Sequence, residues 1–187
     1  MRRLTALSLL TSAILLAGCA GEPRREGPLD PRTVERLAAV SLDPASAGRM
    51  LNAYRANHGL TPVRPDPRLM GMAQRQADAM AAANTLSHDA AGSFGTRVEA
   101  TGLDSARVVE NIGGGYFSTE EAFAGWQQSP SHNANMLMKE ATRYGIALAK
   151  DPRTNYGAWW ALVLAADPEP RREMGTGPIG TPLQPIR

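Results

Sequence analysis

Arg143-Tyr144-Gly145-Ile146-Ala147-Leu148-Ala149-Lys150, a polar turn at Asp151-Pro152-Arg153-Thr154-Asn155, and Ala158-Trp159-Trp160-Ala161-Leu162-Val163-Leu164-Ala165 decide the fold class of this chain. Two apolar runs joined by a short polar turn read as an antiparallel hairpin. Adjacent strand residues point to opposite faces, so Trp159 and Trp160 require a sheet covered on both sides. Val108 to Ile112 predicts a further strand, giving a small antiparallel sheet of about three strands.

The residues upstream of the hairpin change to helical period. Asp43-Pro44 is a helix start, with aspartate as cap and proline in the first turn. Ala47, Met50, Leu51 and Tyr54 follow at helical spacing, and Gly59 closes the segment. Asp66-Pro67 repeats the signal ahead of Leu69, Met72, Ala73, Ala77, Met80 and Ala81, a stripe that ends near Asn84. Its methionines read as core residues rather than as a binding groove. Phe94 to Ala100 predicts a third helix stopped by Gly102. Ser118-Thr119-Glu120-Glu121 has the form of a capping box opening a helix through Trp126. Pro130 opens a short helix carrying His132 and Leu137. Helices on a small sheet make an α+β domain with one core. No internal repeat is present.

Both ends lie outside that domain. Arg2 and Arg3 precede an apolar run from Leu4 to Ala17, short for a membrane span and the length of a signal-peptide core. Leu16-Ala17-Gly18-Cys19 resembles a bacterial lipoprotein box, with residues 1–18 as the signal peptide and Cys19 as the lipidated terminus. Cys19 is the only cysteine, so no internal disulfide can form. Acyl chains contribute about 0.8 kcal/mol per buried methylene, enough for several chains to anchor a protein to a membrane through Cys19. With Ala20 rather than aspartate after the cysteine, the outer membrane is favoured if the source is Gram-negative. Residues 19–45 read as a tether, with Thr33 to Leu42 able to form a short helix against the domain at 46–166. Residues 167–187, with five prolines and three glycines, read as a disordered tail.

The whole chain carries 20 Lys and Arg against 18 Asp and Glu. Processing removes Arg2 and Arg3 but no acid, leaving 18 against 18, so the basic isoelectric point gives no argument for a nucleic-acid partner.

Chemistry concentrates at Leu86-Ser87-His88, Glu110-Asn111-Ile112 and Ser129-Pro130-Ser131-His132. Two of the three histidines stand there with a carboxylate between them in sequence. Two imidazoles and a carboxylate can bind Zn²⁺ or serve acid/base chemistry. They can equally form a polar network in which Glu110 fixes a histidine tautomer. Ser129 and His132 lack the glycine-framed turn and the third group of a serine hydrolase. Gly113-Gly114-Gly115 lacks the lysine of a phosphate loop and reads as a place where the backbone bends away. His58 reads as a helix-end residue, and Asn111, Asn133 and Asn135 as loop-bonding groups. No nucleotide, flavin or haem motif is present.

The order of Leu51-Asn52-Ala53-Tyr54-Arg55, His58-Gly59-Leu60, Leu86-Ser87-His88, Glu110-Asn111-Ile112, Trp126, Ser129-Pro130-Ser131-His132, Gly145-Ile146-Ala147 and Trp159-Trp160 resembles the CAP superfamily of cysteine-rich secretory proteins, antigen 5 and pathogenesis-related 1 proteins. The nearer likeness is to its bacterial, disulfide-free branch, over about residues 46 to 165. The resemblance implies an α-β-α sandwich with a cleft of two histidines and two glutamates. His88, Glu110 and His132 match three of these, and Ser129 replaces the second glutamate. It also implies a lipid, metal or partner as ligand, since family members differ in this. The expectation is a lipid-anchored cell-envelope module that binds a ligand or partner, such as a lipid or cell-wall component, without catalysis. A divalent metal such as Zn²⁺ would sit on His88, His132 and Glu110. The alternative is a metal-assisted hydrolase acting on peptide or cell-wall material.

Overall fold

The computed structural model describes residues 29–105 and 107–168. Cys19, the leader and residues 169–187 lie outside them.

Three aspartate–proline pairs start the first three helices. Asp30 accepts hydrogen bonds from the Arg32 and Thr33 amides to open α1 (Pro31–Ala39). Asp43 accepts from Ala45 N to open α2 (Pro44–Asn57), and Asp66 from Arg68 N to open α3 (Pro67–Ala83). In each, proline occupies a first-turn position whose missing N–H would have no helical partner. α3 stops at Asn84, which takes the left-handed conformation with φ 47°. The short α4 (Phe94–Glu99) follows, capped by Ser93. Ser118 accepts from Glu121 N to open α5 (Thr119–Gln128). Glu121 reaches back to the Phe117 amide at 2.7 Å, one residue before the position that a capping box would use. α6 (Pro130–Met136) follows at once.

The sheet has the order β1-β3-β4-β2, formed by β1 (Arg64–Pro65), β2 (Val108–Gly114), β3 (Ala141–Lys150) and β4 (Ala158–Ala166). β3 and β4 form the expected hairpin, with Lys150 opposite Ala158. β2 pairs antiparallel to β4, with Glu110 opposite Val163. The strand missing from the sequence reading is β1, two residues long and parallel to β3. Two residues ending at a proline carry no alternating pattern to detect.

All nine residues of β4 are buried. Trp160, Leu162 and Leu164 pack with Leu51, Phe123, Trp126 and Met136 on one side. Trp159, Ala161, Val163 and Ala165 pack with Leu69, Met72, Ala77 and Met80 of α3 on the other. The two tryptophans thus serve two cores, and the architecture is the α-β-α sandwich expected. Met72 and Met80 are core residues.

The short helix allowed within the tether forms at Pro31–Ala39 and joins the folded body. Leu29, Leu37 and Val40 are buried in the same cluster as Trp160. Lys150 Nζ donates to the carbonyls of Leu37, Ala38 and Val40, satisfying carbonyls at the end of α1. Asp30-Pro31, the same start signal found at 43 and 66, marks this helix three residues before Thr33. Asp167, read as the start of the tail, is ion-paired to Arg143 at 2.9 Å and Arg64 at 3.2 Å.

Truncating Leu37 removes a side chain only 3% exposed. Leu37→Ala should therefore cost about 2–5 kcal/mol in urea-induced unfolding. A change within error would show that α1 rests on the domain without contributing to its core.

Candidate functional site

β2 places Glu110 and Asn111 on opposite faces of the sheet. Glu110 shares a parity with Val108 and Ile112, which face the α3 core. Its side chain is 2% exposed, so its charge needs compensation. Arg97 of α4 supplies it through a two-pronged contact, Nη1 to Oε2 at 2.7 Å and Nη2 to Oε1 at 3.0 Å. His88 Nδ1 lies 2.9 Å from Oε1. An ionised carboxylate only accepts, so Nδ1 carries a proton in either charge state, and whenever the ring is neutral Nε2 is its free nitrogen. The His88 side chain is 52% exposed.

The loop bearing His88 is held on both sides. Arg97 Nη2 donates to the His88 carbonyl at 2.6 Å and Nε to Gly92 O at 3.1 Å. Gln76, fully buried in α3, donates to Ser87 O at 2.6 Å and accepts from Ala91 N at 3.3 Å. Neither Arg97 nor Gln76 was singled out from sequence. The requirement that a buried glutamate have a cation within reach would have pointed to Arg97.

His132 comes from α6, which hangs on the outer edge of β2. Asn135 Nδ2 donates to Glu110 O at 3.2 Å and to Asn111 Oδ1 at 2.9 Å. Asn111 Nδ2 donates to His132 O at 2.9 Å, Trp126 Nε1 to Ile112 O at 3.0 Å, and Tyr54 OH to Asn133 Oδ1 at 2.7 Å. Asn111 and Asn135 therefore bond backbone and each other, as their sequence context suggests, whereas Asn133 accepts from a tyrosine side chain. The His132 ring is half-buried. Burial pushes its pKa below the ordinary 6.5, and repulsion from His88 adds to the shift.

The structure divides the four candidates. His88 and Glu110 touch, and His132 is coupled to His88. Ser129 joins α5 to α6, with its hydroxyl 3.5 Å from that of Ser131. This is not the geometry of a nucleophile activated by His132. His58 Nδ1 bonds Tyr54 O at 2.9 Å, a helix-end contact. Among the described residues no group of three or more His, Cys, Asp or Glu side chains is arranged to hold a metal ion. Both Glu110 oxygens are committed to Arg97 and His88, so a three-ligand site that includes Glu110 does not fit. Glu110 orients one imidazole, that of His88.

A family model described as "CAP: Cysteine-rich secretory protein family" matches residues 49–164. Solved structures share the fold at low identity. An extracellular protein containing an SCP domain from Bacillus anthracis str. Ames is 21% identical with a TM-score of 0.58, over 76% of this chain and 45% of that one. An outer surface protein of Borrelia burgdorferi is 16% identical with a TM-score of 0.59, over 76% of this chain and 99% of that one. The CAP domain of enterococcal PrgA is 14% identical with a TM-score of 0.52, over 74% and 70%. The chain spans less than half the length of the Bacillus structure it matches. No curated protein sequence matches it.

The lowered His132 pKa has a sign. Its unfolded form binds a proton more tightly than the folded one, so stability is highest above 6.5 and falls as pH drops toward the folded value. Between about pH 7 and pH 5, wild type should lose more stability than His132→Gln, measured as the shift in urea midpoint. Equal losses would show that His132 titrates alike folded and unfolded.

Proposed function

The chain belongs to the cysteine-rich secretory protein (CAP) family, and from that membership we propose that it is a lipid-anchored module of the cell envelope that binds a ligand or partner without catalysing a reaction. The leader and Leu16-Ala17-Gly18-Cys19 support the anchor, and the Bacillus and Borrelia neighbours, described as extracellular and outer-surface proteins, support the address. Among the described residues no helix is long and apolar enough to cross a membrane.

The observation that carries the binding reading is the Arg97–Glu110–His88 chain of contacts. It fixes one tautomer and presents Nε2 of an exposed imidazole to solvent. A hydrogen-bond donor on an organic ligand, or a divalent cation shared with His132, would meet that nitrogen. The same chain argues against the hydrolase alternative. A general base must be free to take a proton, and Glu110 is buried and doubly engaged by Arg97. Ser129 stands where a second glutamate would be needed.

Zn²⁺ serves as the probe for the cleft. Calorimetric titration at neutral pH should show weak uptake, abolished in both His88→Ala and His132→Ala, because so few ligands remain. Uptake unchanged in either variant would remove that histidine from the site. Glu110 is a poor choice for truncation, since it would leave Arg97 buried without a counter-charge, a change that costs about 3–5 kcal/mol.

The anchor is tested separately. Intact-mass spectrometry of the membrane fraction should show a mature chain beginning at an acylated Cys19. An unmodified Cys19 on a soluble chain would overturn the lipoprotein reading.

A further inference from the structure

A cavity of about 570 Å³ opens between α1 and the far end of β2. Its volume falls in the range of about 300–1,000 Å³ usual for small-molecule sites. Thr33, Arg36, Tyr116, Gln128, Asn155 and Tyr156 line it over a floor of Gly114 and Gly115. His88, Glu110 and His132 are not among its walls. Glu110 and Gly114 are four strand positions apart, roughly 13 Å.

The glycines build this cavity by leaving room for side chains, while Gly115 also turns the backbone as their sequence context suggests. A Cβ on Gly113 or Gly125 would collide with the ring of Tyr116, and one on Gly114 with the ring of Tyr156. Gly113 and Gly125 are thus the seats of one tyrosine ring and Gly114 the seat of another. Only Gly115 needs its glycine for conformation, with φ +80°. Trp160 Nε1 donates to Tyr116 O at 2.9 Å, and the Tyr156 ring stands edge-on to Trp159 with centroids 5.0 Å apart. The aromatic walls are held from behind by the core.

The polar groups between those walls are unused by the fold. Among the described residues the side-chain amides of Gln128 and Asn155 and the Tyr156 hydroxyl have no hydrogen-bond partner, although all three border the cavity. The one charged lining residue is already neutralised. Arg36 lies 3.4 Å from Glu121 and stacks over Phe117 at 4.6 Å. An anion would find no free cation here, and an acyl chain would find amides and hydroxyls along its path.

We propose that this cavity is a second binding site, for a neutral saccharide of mono- or disaccharide size. Tyrosine faces and edges match the C–H faces of a sugar ring. Two side-chain amides, each both donor and acceptor, match its hydroxyls. The lining asks for no charge on the ligand. The site is independent of the His88 cleft and stands whether or not that cleft binds metal.

The test uses the mature protein with cellobiose and N,N′-diacetylchitobiose as probes, followed by saturation-transfer NMR and calorimetry. At least one disaccharide should bind, and a Gln128→Ala/Asn155→Ala double variant should weaken it at least tenfold. Those two side chains make no hydrogen bond in the fold, so the variant should keep the wild-type thermal midpoint. Tyr156→Ala should abolish binding, and His88→Ala should leave it unchanged. Failure of both sugars to bind overturns the proposal, as does undiminished binding by the double variant. Loss in His88→Ala with retention in the double variant would place the sugar in the other cleft and overturn it too. Tighter binding of glucose 6-phosphate than of the neutral sugars would refute the uncharged ligand.

Discussion

The burial of β4 is the constraint on which the remaining architecture depends. A strand covered on both faces can satisfy its backbone groups only through neighbours on both edges. β3 and β2 fill those edges, and two helical layers must then cover the faces. The two faces are not alike. Ala161, Ala165, Ala147 and Ala149 make the α3 side shallow, and a Cβ on Gly145 would overlap the backbone of Leu69 and Met70. One long helix lies close against that face. Trp160, Leu162 and Leu164 make the other face deep, and α2, α5 and α6 share it. The difference between one close helix and several is written in side-chain volume along two adjacent strands, β3 and β4.

What was legible in the sequence follows from range. The hairpin, the helix starts at Asp43 and Asp66, the αL stop at Asn84 and the opening of α5 at Ser118 are set by contacts within a few residues. All are where local chemistry places them. β1 was invisible because its two residues form a strand only by lying beside Arg143 and Tyr144, some 79 positions away. α1 was legible as a short helix within the tether, with its cap at Asp30, three residues before the Thr33 at which it was read to begin. Its membership in the body rests on Lys150, which reaches it from more than 100 positions away. In the site, residue types revealed His88, Glu110 and His132. Arg97 and Gln76 stayed hidden because their roles are to satisfy other groups, and that need appears only once burial is known.

Two buried arginines show the same economy with different partners. Arg97 meets a carboxylate. Arg55 is 0% exposed and has carbonyls instead: Thr61 O at 3.0 Å, Met136 O and Met138 O at 2.9 Å, and Ala141 O at 3.4 Å. Burial lowers its pKa, but guanidinium basicity leaves it charged at neutral pH. Those carbonyls run from the end of α6 into β3, where the helix leaves acceptors without amide partners. Arg55 thus ties α2 to the segment that carries His132 into place, and Arg97 ties α4 to the loop that carries His88. Each imidazole is carried by a segment that a buried guanidinium holds.

β2 is the element where these arrangements meet, and its position explains why recognition falls to side chains. Among the described residues it pairs on one edge only, with β4. An open edge would invite another strand. Here Trp126 and Asn135 donate to the carbonyls of Ile112 and Glu110 on that edge, and α5 and α6 cover it. Strand addition is therefore closed to a partner. What remains accessible lies at the two ends of the strand. At one, a buried carboxylate orients an exposed imidazole. At the other, glycines give up their side chains so that two tyrosine rings can lie on the backbone. The first end has charge and little enclosure, and the second has enclosure and no free charge. A single edge strand thus separates two kinds of surface by placing glutamate at one end and glycine at the other.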